Sequence, residues 1–299
     1  ISIMVQMSEK EIREFLQKLG LKIENWIKFS NFLSIFPFER IIKDYFYIFL
    51  NKNTDMFYEG TTDTDIISLI MFDREISSNL LKWLLIFETK FKKIIIEKWV
   101  AMSRLRTDKI YLLKEDEFLN LIPDIKETNL DIKKFRYSLF EHVSNSEFLQ
   151  EYHSLEEIPI VDLSYSWTFA TTINFYRVVS AEVKREILAE FNIPYEFKES
   201  FHKALNVLLK IRNTISHNHI IYNFKTNLYR LEFNKVYKFL FKEDNQLNQP
   251  INLNQIMRLV DYLLTWKHCK KEFENKLKDL KIFTKAKESL IKLFYGLEY

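Results

Sequence analysis

Arg212-Asn213-Thr214-Ile215-Ser216-His217 brings a guanidinium, a carboxamide and an imidazole into one short stretch. With four residues between arginine and histidine, such a set can cleave RNA without a metal. The guanidinium holds the scissile phosphate, and the imidazole moves the proton of the ribose 2′-hydroxyl. Apolar spacing predicts a helix over 197–219, which must position these groups. At about 100° per residue, Phe201, Ala204, Leu205, Leu208, Ile211 and Ile215 share one face, the expected core stripe. Asn206, Lys210, Asn213 and His217 share a narrow stripe on the opposite side. Arg212 flanks the apolar face, about 140° from His217 in an ideal helix, so helix geometry alone does not make the two converge. Either the helix bends after Ser216, or a second copy of the same helix completes the site.

Eleven arginines and six histidines make an Arg–His pair at this gap unremarkable by itself. Arg136 and His142 form another, which reads as an ordinary surface pair because Tyr137 follows the arginine and no polar stripe accompanies it. His219 is a second histidine that could share or replace the role of His217. Asp63, Asp65, Asp73 and Glu75 raise the alternative of a two-metal nuclease. Against it, Asp63 and Asp65 sit where a helix begins, and Asp73 and Glu75, two apart on a helix, do not face each other. No zinc-ligand spacing, phosphate-cradling glycine loop or serine nucleophile elbow is present, so no metal and no cofactor is expected.

Basic residues interleaved with aromatics recur at Lys90-Phe91-Lys92-Lys93, at Lys133-Lys134-Phe135-Arg136-Tyr137 and at Trp266-Lys267-His268-Cys269-Lys270-Lys271. Such runs can hold phosphates and stack bases, or can be solvated helix faces with core aromatics behind them. The last is the preferred RNA-binding candidate, with Lys267, Lys270 and Lys271 at its centre and Lys276, Lys278, Lys281, Lys285 and Lys287 extending it. Lys210 and His219 would add contacts near the motif.

Composition narrows the class. The chain has 299 residues, 47% hydrophobic and 16% aromatic, enough for a substantial core. Three glycines and five prolines are too few for the turns of a β-rich protein. The net charge of +3 neither demands nor excludes nucleic acid, so affinity must come from local patches. Cys269 is the only cysteine, which rules out an internal disulfide and fits a reducing compartment. No apolar run approaches the length of a membrane span, and Ile1-Ser2-Ile3-Met4 lacks the features of a signal peptide. The expectation is a soluble intracellular protein with no membrane partner.

Helical signals dominate elsewhere. Ser8-Glu9-Lys10-Glu11 is a capping box, and Gly20 is placed to end the helix it starts. A second helix is expected over 38–50, closing at Asn51-Lys52-Asn53. Gly60-Thr61-Thr62-Asp63 marks a turn and N-cap before one or two helices reaching about 103. A looser section containing Pro123 covers 104–130. Helices are expected at 131–150, 164–180, 182–191, 227–241, 254–280 and 284–295, with a loop from Lys242 to Asn252. The whole chain, 1–299, reads as one all-α unit.

Ile211-Arg212-Asn213-Thr214-Ile215-Ser216-His217-Asn218, followed by Tyr222-Asn223, resembles the signature of the Abi-like (abortive infection) proteins of bacteria. These belong to the HEPN superfamily, the all-α ribonuclease fold that also supplies the nuclease sites of type VI CRISPR effectors. Phe72-Asp73-Arg74-Glu75-Ile76, preceded by Gly60-Thr61-Thr62 and followed by Ile86-Phe87-Glu88, resembles the family's N-terminal helices. Ser166-Trp167-Thr168-Phe169, then Ile187-Leu188-Ala189-Glu190-Phe191-Asn192-Ile193-Pro194, resembles its middle segment. The resemblance spans roughly 10–225. Two features depart from it: Ile220 and Ile221 stand where a basic residue often follows the histidine, and the tyrosine-rich early segment is blurred into Asn31-Phe32-Leu33.

The resemblance implies a HEPN-like helical bundle, core roughly 60–225, with additional N-terminal helices and a basic helical region over 226–299. It implies a metal-independent endoribonuclease, a cytoplasmic bacterial homodimer with two Arg–His motifs facing across one cleft. His217 would carry the proton transfer, Arg212 would hold the phosphate, and Asn213 would orient the phosphate or the histidine. Members act in phage defence or as toxins restrained by an antitoxin, and some bind a structured noncoding RNA. The alternative is a protein that keeps the fold and holds such an RNA without cutting it.

Overall fold

The computed structural model describes residues 7–103, 110, 115–122, 125, 128, 130–243, 249–266 and 268–296. Among them helices carry the architecture, and each of the two sheets is a two-stranded pair. The protein is all-α.

Helix α1 (Glu9–Lys18) starts at the expected capping box: the Ser8 hydroxyl accepts the Glu11 N–H, and the Glu11 carboxylate accepts the Ser8 N–H. Gly20, at φ +88°, ends it. Helix α2 (Trp26–Ile35) is not among the predicted helices. Its apolar residues lie all round, only Phe29 is buried, and so no single stripe announces it. Helix α3 (Phe38–Tyr45) is shorter than the predicted 38–50. Tyr45, Phe46, Ile48 and Phe49 are all buried, and one side of an α-helix cannot hold so dense a run. The chain tightens into a 3-10 turn at Phe46–Ile48, and β1 (Leu50–Asn51) then pairs antiparallel with β2 (Met56–Phe57).

Helix α4 (Asp63–Ser103) is a single rod of 41 residues, about 60 Å long. Thr62 and Asp65 cap it reciprocally: the Thr62 hydroxyl accepts the Asp65 N–H at 3.2 Å, and the Asp65 carboxylate accepts the Thr62 N–H at 2.8 Å. Most later helices lean on this rod, which is why its buried residues wrap round it.

Helices α5 (Glu115–Leu121) and α6 (Ile132–Ser138) precede three isolated 3-10 turns and α7 (Ile160–Ser164). The predicted helix 131–150 therefore breaks after Ser138, whose hydroxyl turns back onto the Phe135 carbonyl at 2.7 Å. Pro123 lies outside the described residues. Helix α8 (Phe169–Val178) takes Thr168 as its cap, and α9 (Ala181–Glu190) takes Ser180. Helix α10 (Lys198–Ser216) packs among α4, α8 and α11 (Arg230–Phe241), and the whole expected core stripe is buried.

β3 (Lys225–Thr226), before α11, pairs with β4 (Ile251–Asn252), after it, so the predicted loop from Lys242 ends in a strand. The predicted helix 254–280 is two, α12 (Leu253–Leu264) and α13 (Cys269–Asp279). Thr265 turns left-handed, at φ +61°, and the Asp261 carboxylate accepts the N–H groups of Cys269 and Lys270 at 2.8 and 3.1 Å, starting the second helix. Helix α14 (Thr284–Tyr295) falls where expected.

Candidate active site

Helix α10 stops at Ser216, three residues short of the predicted end. Thr214 and Ser216 turn their hydroxyls back onto the carbonyls of Lys210 and Arg212, at 2.9 and 3.0 Å. Asn218 then takes the left-handed conformation, φ +57°. Its N–H donates to the Ile215 carbonyl at 2.9 Å, and the His219 N–H donates to the Thr214 carbonyl at 3.0 Å. This is a Schellman stop with asparagine in the place glycine usually takes. His217 is thus the C-cap residue rather than a helical one, and its ring is exposed at the helix end. Of the two geometries the spacing left open, the chain does turn after Ser216.

The segment after this stop is anchored from beneath by α4. Ile221 and Tyr222 are fully buried, and both of their N–H groups donate to one oxygen of the Asp73 carboxylate, at 2.9 and 2.8 Å. The other oxygen accepts the Arg74 guanidinium at 2.7 Å and the Tyr45 hydroxyl at 3.0 Å. Burial pushes the Asp73 carboxyl above its ordinary range, opposed by the two N–H groups, Arg74 and Tyr45. Arg74 also donates to the Asn218 carbonyl at 3.1 Å, and Arg40 donates to the same oxygen. Tyr222 closes the clamp: its hydroxyl donates to the Asp44 carbonyl at 2.7 Å, and its ring stacks on Tyr45 and Tyr47. Two arginines therefore stand at the negative end of α10, on the carbonyl of the residue that follows His217.

Arg212 takes another direction. Its Nε lies 4.0 Å from Glu88 Oε2 on α4, an ion pair without a hydrogen bond. Burial raises the Glu88 carboxyl, while Lys92 and Arg212 pull it down. Another nitrogen of the guanidinium donates to Asn213 Oδ1 at 3.5 Å, a weak contact that nonetheless joins two of the three motif residues. Asn213 itself is exposed.

The first half of the polar stripe opposite the core is hydrogen-bonded within the chain. Asn206 donates to the His202 carbonyl at 2.8 Å, and Lys210 Nζ donates to Thr226 Oγ1 on β3, also at 2.8 Å. α11 and β3 supply an intramolecular partner that the sequence did not reveal, while Lys210, Asn213, Ser216 and His217 stay exposed. Lys210, expected at RNA, is thus tied to the protein in this structure. His219, the second candidate histidine, is exposed just past the helix stop.

Lys267 lies outside the described residues. Lys270 pairs with Glu274 at 3.4 Å, and with Lys271 it lines a cleft of about 780 Å³ between Phe191, Phe241 and Arg258. That cleft is large, yet its lining contains none of the motif or clamp residues, so it is no part of this site. Farther along, Lys276 pairs with Glu75, and Lys287 caps the carbonyls of Lys278 and Leu280. Lys90 and Lys92 are structural too, donating to the carbonyls of Leu263 and Trp167 at 2.7 and 2.8 Å. In the remaining cluster Phe135 is buried and Arg136 lies over the Phe118 ring.

The acidic residues that could have held metals do other work. Asp63 accepts the N–H groups of Glu24 and Asn25 at 3.1 and 3.3 Å, and Asp65 caps α4 and accepts the Phe283 N–H at 2.8 Å. Sequence reasoning singles out Asp73 and Arg74 without their role and misses Arg40, Tyr45 and the Glu88 pair. Arg40 reaches Asn218 and Glu88 reaches Arg212 across more than a hundred positions, and Tyr45 reaches Asp73 across 28, separations at which spacing carries no signal.

No described helix is long and apolar enough to cross a membrane. No curated protein and no solved structure matches the chain. A family model described as Abi-like protein matches residues 31–223, from within α2 to the asparagine after Tyr222. The match takes in the rod, α10 with its Arg–His motif, and the clamp from Arg40 to Tyr222. By that match over more than half its length, the chain belongs to the Abi-like protein family.

Proposed function

We propose that this Abi-like protein is a metal-independent endoribonuclease of HEPN type, acting in the bacterial cytoplasm as an abortive-infection or toxin effector. One observation carries the reading: α10 ends at an exposed His217, with Arg212 and Asn213 in its last two turns, and the chain leaving it is held by Asp73, Arg74 and Arg40. A site that must position a proton-transfer group needs such a rigid support. His217 takes the 2′-hydroxyl proton, the oxygen attacks the adjacent phosphorus, and the 5′-oxygen leaves with a proton. The products are a cyclic phosphate and a free 5′-hydroxyl. Arg212 neutralises the phosphate and Asn213 orients it. A homodimer pairing two α10 ends would bring both motifs to one cleft, and a structured noncoding RNA is the proposed restraining partner.

One observation favours the alternative, a non-cleaving holder of such an RNA: Arg212 is drawn toward Glu88. Incubation of the purified protein with single-stranded RNA in excess EDTA decides between them. Cleavage with cyclic-phosphate ends is expected, lost when the nucleotide 5′ to the cut carries no 2′-hydroxyl. Strict dependence on Mg²⁺ or Mn²⁺, or binding without any cutting, overturns the nuclease reading.

A further inference from the structure

Beyond the clamp, the segment after His217 leads to a second cleft. It has a volume of about 490 Å³ and lies between the turn after α3 and helix α14. Tyr47, Tyr58, Lys52, Lys285 and Lys292 line it, with Glu288 as the acid among its lining residues. Tyr47 belongs to the clamp as well. Tyr222 stacks on Tyr45 with centroids 5.7 Å apart and on Tyr47 at 6.2 Å, the planes within 23° and 15°. Asn223 holds the Tyr47 hydroxyl at 2.8 Å, and 40% of Tyr47 remains exposed. Tyr47 is therefore a preoriented aromatic face at the mouth of a lysine-lined cleft. Lys285 already lies 4.9 Å from the Tyr58 ring centroid, the arrangement of a cation over an aromatic face.

We infer that this cleft holds a single-stranded RNA segment continuous with the candidate active site. A base extends the stack on Tyr47, and Lys52, Lys285 and Lys292 neutralise the neighbouring phosphates. The inference rests on the reading that RNA is the substrate or partner, and it adds where the strand runs. Base stacking on an aromatic platform beside cations is the sequence-tolerant chemistry of single-strand binding. An acidic peptide would satisfy the lysines but leave the Tyr47 face without a partner. A duplex would present phosphates but no unstacked base. The route from the α10 end is also cationic. Arg40 and Lys43, three positions apart, fall along one side of α3, and Arg40 reaches the carbonyl next to His217.

The test measures binding of a fluorescent single-stranded RNA by anisotropy, in EDTA, to the full chain carrying His217→Ala so that nothing is cut. Adding Lys52→Glu, Lys285→Glu and Lys292→Glu, all at exposed positions, is expected to weaken Kd at least about tenfold and to flatten its salt dependence. Tyr47→Ala should weaken it about tenfold, and Tyr47→Phe, which keeps the ring, should restore the parent Kd. A triple-lysine variant that binds with the parent Kd overturns the inference. So does duplex RNA binding as tightly as the single strand, or a parent that binds no single-stranded RNA. The unaltered chain is assayed for cutting in parallel. Binding through this cleft without cleavage leaves the inference standing and removes the nuclease; cleavage with every cleft variant at parental affinity does the reverse.

Discussion

His217 is the residue on which the chemistry turns, and its position makes it a clean probe. It is exposed at the end of α10, so His217→Ala should abolish cleavage while shifting stability by only about 0.5 kcal/mol, checked by chemical denaturation. Arg212 is less separable, because it packs against α4 beside Glu88. Glu88 competes with phosphate for that guanidinium. Glu88→Gln should therefore tighten RNA binding about fivefold, the scale of one partly exposed ion pair; an unchanged or weaker Kd would sink the idea of competition. A third residue sets an acid limit. His202 is buried against Tyr176, and burial, reinforced by Lys203, Arg177 and Lys184, lowers its pKa to about 4. An unfolded histidine takes a proton near pH 6.5 while the folded one refuses it until about pH 4. The stability it contributes is thus complete above pH 6.5 and lost as pH falls toward 4, by about 3 kcal/mol in all. His202→Gln should flatten denaturation midpoints across that window.

At the scale of elements, the end of α10 is built by distant partners. Asp73 carries four hydrogen bonds, two of them to buried backbone N–H groups of the segment after the motif. Asp73→Ala leaves those groups and the Arg74 guanidinium without their acceptor. A loss of about 3 kcal/mol or more is expected, together with loss of cleavage even where the fold is held at low temperature. Full activity in that variant would show that the clamp does not position His217. Asn218 offers a milder probe of the same joint. At φ +57° glycine is tolerated, whereas Asn218→Val should cost about 1–2 kcal/mol or more and misplace His217.

For the whole molecule, the question is whether one chain makes a site. Asn206 and Lys210 are hydrogen-bonded within the chain, so a two-fold contact is expected at the α10 end, where Asn213 and His217 are exposed. Arg212 leans toward α4 while His217 caps the helix, a separation that a second copy would bridge. If the pair is completed between chains, equal mixing of Arg212→Ala with His217→Ala should restore roughly a quarter of wild-type cleavage, since half the dimers are mixed and each holds one intact site. No recovery after confirmed subunit exchange, or a fully active monomer by light scattering, would place both residues in one chain.

Some of this is legible in the chain alone, for a physical reason. Capping boxes, the αL glycine after α1 and the buried face of α10 are local or periodic, and a helix expresses both in consecutive residues. Such signals locate the helices from α8 to α11, the start of α4, and the Arg212–His217 motif. They carry α10 on to 219, because Ile220 and Ile221 continue an apolar run and the Schellman stop depends on an asparagine rather than a glycine. They fuse α12 with α13, because Asp261 acts as a cap only after the chain has reversed at Thr265. They leave Lys90, Lys92 and Lys210 as surface charge, because the carbonyls and hydroxyl that bind them lie on other elements. Periodicity reports which side of a helix is wet; it is silent on what occupies the other side. Asp73 meeting Tyr222 across 149 positions, and Tyr47 turned toward the lysines of α14, arise only once the rod of α4 has brought the two ends of the chain together.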